Sequence, residues 1–368
     1  RRDITEVMPL DNPNKSFIIE PAENTEAISC MRFCPSSDVF AVTSWDNKIT
    51  CYKYDHYGVE FQANIIGYNK HTKPVLCCNW DSTGKYLFTG GCDNNVNMWQ
   101  INGKFVNLGS HKLPVQCVEY SSKYNVLVSG SWDKYVKYWD IRKGKSSLIG
   151  NVKTGSKVYA MSVGGNKMVV GLADNKINYY DLRKCTECVE TYSTADAYTG
   201  HRTDYQNELN MCVIRDIEIF PDHKGYIATT NTGRAMVNHF DKDDRRANFL
   251  WKCHRDRYKY GTSARQHIYS VNVIRFHQQY KSLATGGDSG DVGIWDKDRR
   301  QRIKCFERVE YYDDNIKYAP VTSVDFDRKG IIMGYTTSYN WTRGCKYYKK
   351  ENMKPQIYLH KINKSDFV

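Results

Sequence analysis

No stretch of this 368-residue chain approaches 18 uncharged apolar residues, so nothing in it reads as a membrane-spanning helix. Arg1-Arg2-Asp3-Ile4 lacks the apolar run of a secretory signal, and the absence of an initial Met leads us to expect a native N-terminal extension. The 13 cysteines are odd in number, which argues against a full disulfide framework; without a signal they read as reduced intracellular thiols. Neither G-x-x-x-x-G-K-[ST] nor a strand-G-x-G-x-x-G-helix pattern occurs, so nucleotide binding has no support. No carboxylates are paired in a way that demands an acid/base site. Cys185-Thr-Glu-Cys188 has zinc half-site spacing, but there is no second C-x₂-C, and His201 and Cys212 would complete it only at unusual spacing. A loop with two free thiols is the better reading, and no metal or cofactor is expected. What the chain has in plenty is positive charge, a formal net +12. That balance favours anionic partners such as acidic peptides or nucleic acid, serves solubility equally well, and is silent about fold.

Self-similarity is the dominant signal. Val126-Leu-Val-Ser-Gly-Ser-Trp-Asp-Lys-Tyr-Val-Lys-Tyr-Trp-Asp140 has a close copy in Tyr86-Leu-Phe-Thr-Gly-Gly-Cys-Asp-Asn-Asn-Val-Asn-Met-Trp-Gln100. A third copy runs Met168-Val-Val-Gly-Leu-Ala-Asp-Asn-Lys-Ile-Asn-Tyr-Tyr-Asp181. The aromatic end-points Trp99, Trp139 and Tyr180 stand 40 and 41 residues apart. Each copy reads as strand, tight turn with Asp, strand, with β-branched and aromatic residues alternating around the turn. A further strand precedes two of them, Val75-Leu-Cys-Cys-Asn-Trp80 and Val115-Gln-Cys-Val-Glu-Tyr120.

This period and pattern resemble WD repeats, whose blades recur every ~40–45 residues. The resemblance implies an all-β, seven-bladed WD40 β-propeller forming one domain. The blades are expected near 27–54, 71–101, 111–141, 156–182, 211–240, 268–298 and 319–362. Ser16-Phe-Ile-Ile-Glu20 or Gln356-Ile-Tyr-Leu-His360 would supply outer strands that close the ring and hide its edges. Residues 183–210 and 242–267 break the spacing and read as long insertions. His71 and His111 each stand 28 residues before the Trp of their blade. His71, Thr89, Asp93 and Trp99 thus fit the buried hydrogen-bond chain of such repeats, and His111, Ser129, Asp133 and Trp139 fit it again. One copy alone would suggest a hydrolase relay; repetition makes the role structural. Gly287-Asp-Ser-Gly290 looks like a protease nucleophile segment, but it falls at a strand-to-strand turn of blade 6 and is read as a turn. No enzyme is expected.

In a WD blade the residue before the turn Asp points out on the narrow top face, which here puts Trp45 and Trp132 on one side. Two exposed Trp make a recognition surface; packing of each on a neighbouring loop is the alternative. Arg234 holds the corresponding turn of blade 5 and would offer a fork for a carboxylate. Two clusters interleave aromatics with cations, Trp251 to Tyr260 with Arg255, Arg257 and Lys259, and Trp341 to Lys350 with Arg343, Lys346, Lys349 and Lys350. Such clusters suit single-stranded RNA through stacking and phosphate contact; solvated basic loops explain them as well.

Over nearly the whole chain the sequence resembles one WD-repeat clade. It comprises the mRNA export factors that dock at nuclear pores and their sibling, the Bub-type mitotic checkpoint propeller. Ser44-Trp45-Asp46, Cys117-Val-Glu-Tyr120, Gly130-Ser-Trp-Asp133, Gly233-Arg234 and Lys252-Cys-His-Arg255 carry the likeness, with Ile268-Tyr269 and Val271-Asn272. The resemblance implies a monomeric propeller in hetero-complexes, its top face receiving an acidic, partly helical GLEBS segment of a nucleoporin or, in the sibling, of a checkpoint kinase. Trp45, Trp132, Arg234 and Lys252 would then be the contacts. Location would be nucleus, nuclear envelope and cytoplasm, or the kinetochore. Ser338-Tyr-Asn-Trp-Thr-Arg-Gly344 looks like the export factors, while Val158-Tyr-Ala-Met-Ser-Val163 looks like the checkpoint protein. Thr232 stands where the clade has Glu, which puts the blade 5 surface in question.

Overall fold

In a computed structural model the chain is a seven-bladed β-propeller, each blade a four-stranded antiparallel sheet. The structure describes residues 16–57, 60–101, 103–194, 212–260, 263–311, 316–363 and 366. The inner strands are Ile28–Phe33, Val75–Trp80, Val115–Ser121, Val158–Gly164, Ile214–Ile219, Val271–Phe276 and Val321–Phe326. Every one of these shifts register against its neighbour at the same place, between Ile28 and Cys30 in blade 1 and between Val321 and Ser323 in blade 7, with five matching shifts between. A bulge repeated at one height steepens the local twist, which suits inner strands gathered around an axis.

The turn chemistry repeats as well. Asn47, Asn94, Lys134, Asn175, Gly233 and Gly290 all take a left-handed backbone (φ between 61° and 77°) at one position of the turn joining the second and third strands. Asn and Gly tolerate that conformation at low cost, which accounts for five of these six short turns; in blade 3 Lys134 adopts it instead. The end of the ring carrying these turns, and the links from each outer strand to the next inner strand, is the top face.

Apolar residues from facing sheets fill the layers between blades. Val75, Cys78, Leu87 and Trp99 of blade 2 pack with Ala41, Ile49 and Cys51 of blade 1. Ring closure joins the chain's two ends: Ser16–Ile19 pairs antiparallel with Gln356–Lys361, Phe17 opposite Leu359, as the outer strand of blade 7. Ile19, Ile357 and Leu359 are buried at this seam.

The spans expected to be insertions contain blade strands. Cys188–Ser193 is the outer strand of blade 4, and Phe249–Lys252 that of blade 5. Outer strands lack a covering sheet on one edge, so Cys188–Ser193 has no fully buried residue and shows no clean alternation. Among the described strands, only those of the hairpin Arg255–Tyr260 with Ser263–Ile268 stand outside the seven blades.

Candidate functional site: the top face

The buried hydrogen-bond chains set the frame of this face. In blade 3 the Trp139 indole N–H donates to Ser129 Oγ (2.8 Å), which meets His111 Nε2 (2.8 Å), while His111 Nδ1 meets Asp133 Oδ2 (3.0 Å). Burial pushes the His111 pKa down against the pull of Asp133. Burial works upward on Asp133, yet the His111 hydrogen bond and backbone N–H groups bring its pKa down to about 2. The two shifts agree on a neutral imidazole donating from Nδ1 to an ionised carboxylate. In blade 2, His71 meets Asp93 (3.0 Å) and Thr89 (2.8 Å), and Asn97 Nδ2 lies 3.1 Å from its Nε2. Among the described hydrogen bonds Trp99 makes none to Thr89; its ring packs in the blade 1–2 core. Blade 6 holds a third chain that the spacing did not suggest: His254 to Thr285 (2.9 Å) and Asp291 (2.8 Å), with Trp295 Nε1 donating to Thr285 (2.8 Å). His254 stands 41 residues before Trp295, 13 more than in blades 2 and 3, because the hairpin Arg255–Tyr260 with Ser263–Ile268 intervenes.

This blade 6 chain also encloses the Gly287-Asp-Ser-Gly290 turn. Ser289 Oγ lies 2.7 Å from His254 Nδ1 and bonds Asp291. Serine and aspartate share one imidazole nitrogen, and the serine is wholly buried, so no substrate reaches it.

On the surface above, Trp45 is half-buried against Trp341 of blade 7, ring centroids 5.3 Å apart. Trp341 in turn meets Tyr339 (5.3 Å) and Tyr348 (4.7 Å). This four-ring platform spans the seam between blades 7 and 1. Arg343, Lys346, Lys349 and Lys350 are exposed on the same blade 7 loop. Trp132, also half-buried, lies under the Lys157 ammonium at 5.9 Å from its ring centroid. The indole nitrogens of Trp132 and Trp341 are enclosed and meet no hydrogen-bond partner among the described residues. The sequence placed Trp341 and Tyr348 in a basic and aromatic cluster suited to RNA rather than among the peptide contacts, and it did not connect them, or Tyr339, with Trp45. Nothing local in the sequence announces a contact across the closure of the ring.

Arg234 differs from its sequence reading. It opens the third strand of blade 5 and is only 3% exposed, close to Cys212 and Cys253, so it is no surface fork. The reason lies in its neighbours: Lys252 pairs opposite it in the sheet, and Arg255 folds over the same turn. Lys252 is exposed beside it. The structure thus brings Arg234, Lys252 and Arg255 together and leaves Trp45 with Trp341 as a separate group. The side chains of Arg257 and Lys259 lie outside the described residues, as does His201.

A polar channel of about 120 Å³ runs along the axis, lined by inner-strand residues of all seven blades. Asp216 accepts from Ile274 N (3.0 Å) and Arg275 (2.7 Å), Asp325 from Phe33 N (2.7 Å), and Glu119 from Asn79 (2.9 Å). Burial raises the pKa of Glu119 to about 8, of Asp216 to about 7 and of Asp325 to about 6, with Arg32 opposing each rise. These groups bond inner strands of different blades to one another. Cys185 is half-buried and Cys188 exposed at the edge of blade 4. Among the described residues no three His, Cys, Asp or Glu converge on a metal position.

The family signature described as WD domain, G-beta repeat matches residues 16–53, 63–100, 104–140 and 260–296. Protein RAE1 of Arabidopsis thaliana is 36% identical over 358 residues, spanning 96% of this chain and 93% of that protein. The poly(A)+ RNA export protein of Schizosaccharomyces pombe is 28% identical, spanning 94% and 90%. The mitotic checkpoint protein bub-3 of Caenorhabditis elegans is 30% identical, spanning 83% and 82%. A likeness over 96% of this chain reaches every blade of the propeller. The chain belongs to the WD-repeat family of RAE1-type mRNA export factors, with Bub3-type mitotic checkpoint proteins as its siblings.

Proposed function

We propose that this chain is a non-catalytic scaffold in mRNA export. On this reading it works at the nuclear pore, between nucleus and cytoplasm, and receives an acidic, partly helical GLEBS-type segment of a nucleoporin across its top face. The observation that carries the reading is the aromatic platform of Trp45 and Trp341 flanked by cations, with Trp132 and Lys252 further round the same face. Half-buried aromatics give contact area at low entropy cost, and Lys and Arg select an acidic partner. Arg234, buried opposite Lys252 and beneath Arg255, backs this face rather than meeting the partner. Export relatives support the process; the bub-3 relative at 30% identity favours, as second reading, a checkpoint scaffold that recruits kinases to kinetochores through the same face. A direct single-stranded RNA interface would use the exposed Arg343, Lys346, Lys349 and Lys350 instead.

The test is fluorescence anisotropy of a labelled synthetic GLEBS-type peptide with the wild-type chain and with Trp132→Ala, Trp45→Ala and Lys252→Glu. Binding that weakens at least about tenfold in each folded variant supports the reading. Wild-type affinity in all three refutes it. A steep fall of oligonucleotide affinity with salt, lost on replacing the four blade 7 cations, would favour RNA instead. Capture of the tagged chain from interphase and mitotic cells separates the nucleoporin partner from the kinase partner.

A further inference from the structure

Among the described residues the hairpin Arg255–Tyr260 with Ser263–Ile268 has no third strand. An isolated two-stranded ribbon is marginal in water, so its direction over the top face has to be fixed at its base. The base carries two adjacent residues of opposite charge, Arg255 and Asp256, which strand alternation sends to opposite sides. Arg255 turns to blade 5, donating to the carbonyls of Thr232 (2.6 Å) and Gly233 (3.2 Å). Asp256 turns the other way, to the link between blades 6 and 7. There it accepts Arg308 Nη1 at 2.6 Å on one oxygen, Arg308 Nη2 on the other, and the Tyr269 hydroxyl at 3.1 Å.

Arg308 is itself firmly held. Its guanidinium lies 4.6 Å from the Tyr318 ring centroid and 5.7 Å from that of Tyr269. Its Nε is 3.8 Å from Asp291 Oδ2, the carboxylate of the buried His254 chain. The ion pair is therefore continuous with the interior of blade 6. At 24% and 32% side-chain exposure it is also partly shielded from water, unlike the exposed Lys317–Glu310 pair on the same link. Arginine is the one side chain that pairs bidentately with Asp256 and stacks on two tyrosines at once.

We propose that Arg308 is a latch and a positioning residue. Its pair with Asp256 holds the hairpin where it flanks the top face, and thereby tunes the affinity of that face for an acidic segment. The second half of this statement rests on the docking function proposed above; the first half does not. Loss of the pair leaves the Arg255 tether in place, so the ribbon swings rather than detaches, and the blades keep their packing.

Hydrogen exchange and anisotropy on the full chain test both halves, using Arg308→Gln, Asp256→Asn, Arg308→Lys and, as control, Lys317→Ala. The probe is the same labelled GLEBS-type peptide. In Arg308→Gln and Asp256→Asn, amides of the hairpin exchange about tenfold faster while blade amides do not change. Peptide affinity falls about tenfold in the same variants, because the free hairpin is no longer preorganised. Arg308→Lys recovers part of both effects, and Lys317→Ala alters neither. Unchanged hairpin exchange in both variants overturns the latch. Faster exchange with wild-type affinity overturns the positioning role while leaving the docking function intact. Failure of the wild-type chain to bind the peptide overturns the docking function, and exchange alone then decides the latch.

Discussion

Ser129→Ala is the sharpest probe of what holds a blade together. The hydroxyl is fully buried and serves two partners at 2.8 Å, the Trp139 indole N–H and His111 Nε2. Its removal leaves one donor and one acceptor unsatisfied, each costing ~1–3 kcal/mol. The missing oxygen adds little cavity, so a loss of ~2–6 kcal/mol is expected from two such groups. Thr89→Val is the matched change in blade 2, isosteric and equally buried. There the indole does not depend on the hydroxyl, and Asn97 Nδ2 remains 3.1 Å from His71 Nε2, so only about 1–2 kcal/mol should be lost. Guanidinium unfolding followed by tryptophan fluorescence and circular dichroism measures both, and coincidence of the two probes licenses the comparison. The midpoint should fall clearly further for Ser129→Ala than for Thr89→Val. Equal losses, or the reverse order, would refute the view that the indole–hydroxyl–imidazole chain is the stabilising unit.

Two further expectations concern the axis and the closure. Burial raises the Glu119 pKa from 4.5 to about 8, so the fold favours its protonated form. That contribution is complete below the unfolded-state pKa and is lost as pH rises from about 4.5 to about 8. The melting temperature should therefore fall across this window, and Glu119→Gln should flatten the fall; an unchanged pH profile in the variant would show that the channel carboxylate does not titrate there. Deleting residues 16–19 removes the outer strand of blade 7 and exposes the edge of Gln356–Lys361. A lower melting temperature with concentration-dependent association in light scattering is expected, since a bared edge templates pairing with other chains; a monomer of wild-type stability would show that closure does not depend on this strand.

The limits of legibility follow the same physics. Blades 2 and 3 were readable because their His, Thr or Ser, Asp and Trp lie within one stretch, with His and Trp 28 residues apart. The period survives wherever strands have a buried face. Outer strands break that rule, and so Cys188–Ser193 and Phe249–Lys252 passed for insertions. His254 was hidden by an inserted hairpin that changed its offset and left its chemistry unaltered. Arg234 was assigned to the blade 5 turn as an exposed residue, whereas it opens the third strand and is buried, because strand pairing with Lys252 and the overlying Arg255 are tertiary facts.

By itself the sequence determined the architecture. Period, turn residues and alternating burial are local properties, and seven local units of one kind leave a closed ring as the way to cover their edges. What only the tertiary structure decided is which side chains meet across units: Trp45 with Trp341 over the closing seam, Glu119 and Asp216 around the axis, Asp256 with Arg308 between blades. Such contacts join residues far apart in the chain and follow no period, because they depend on how the blades are set around the axis and not on the pattern within any one of them.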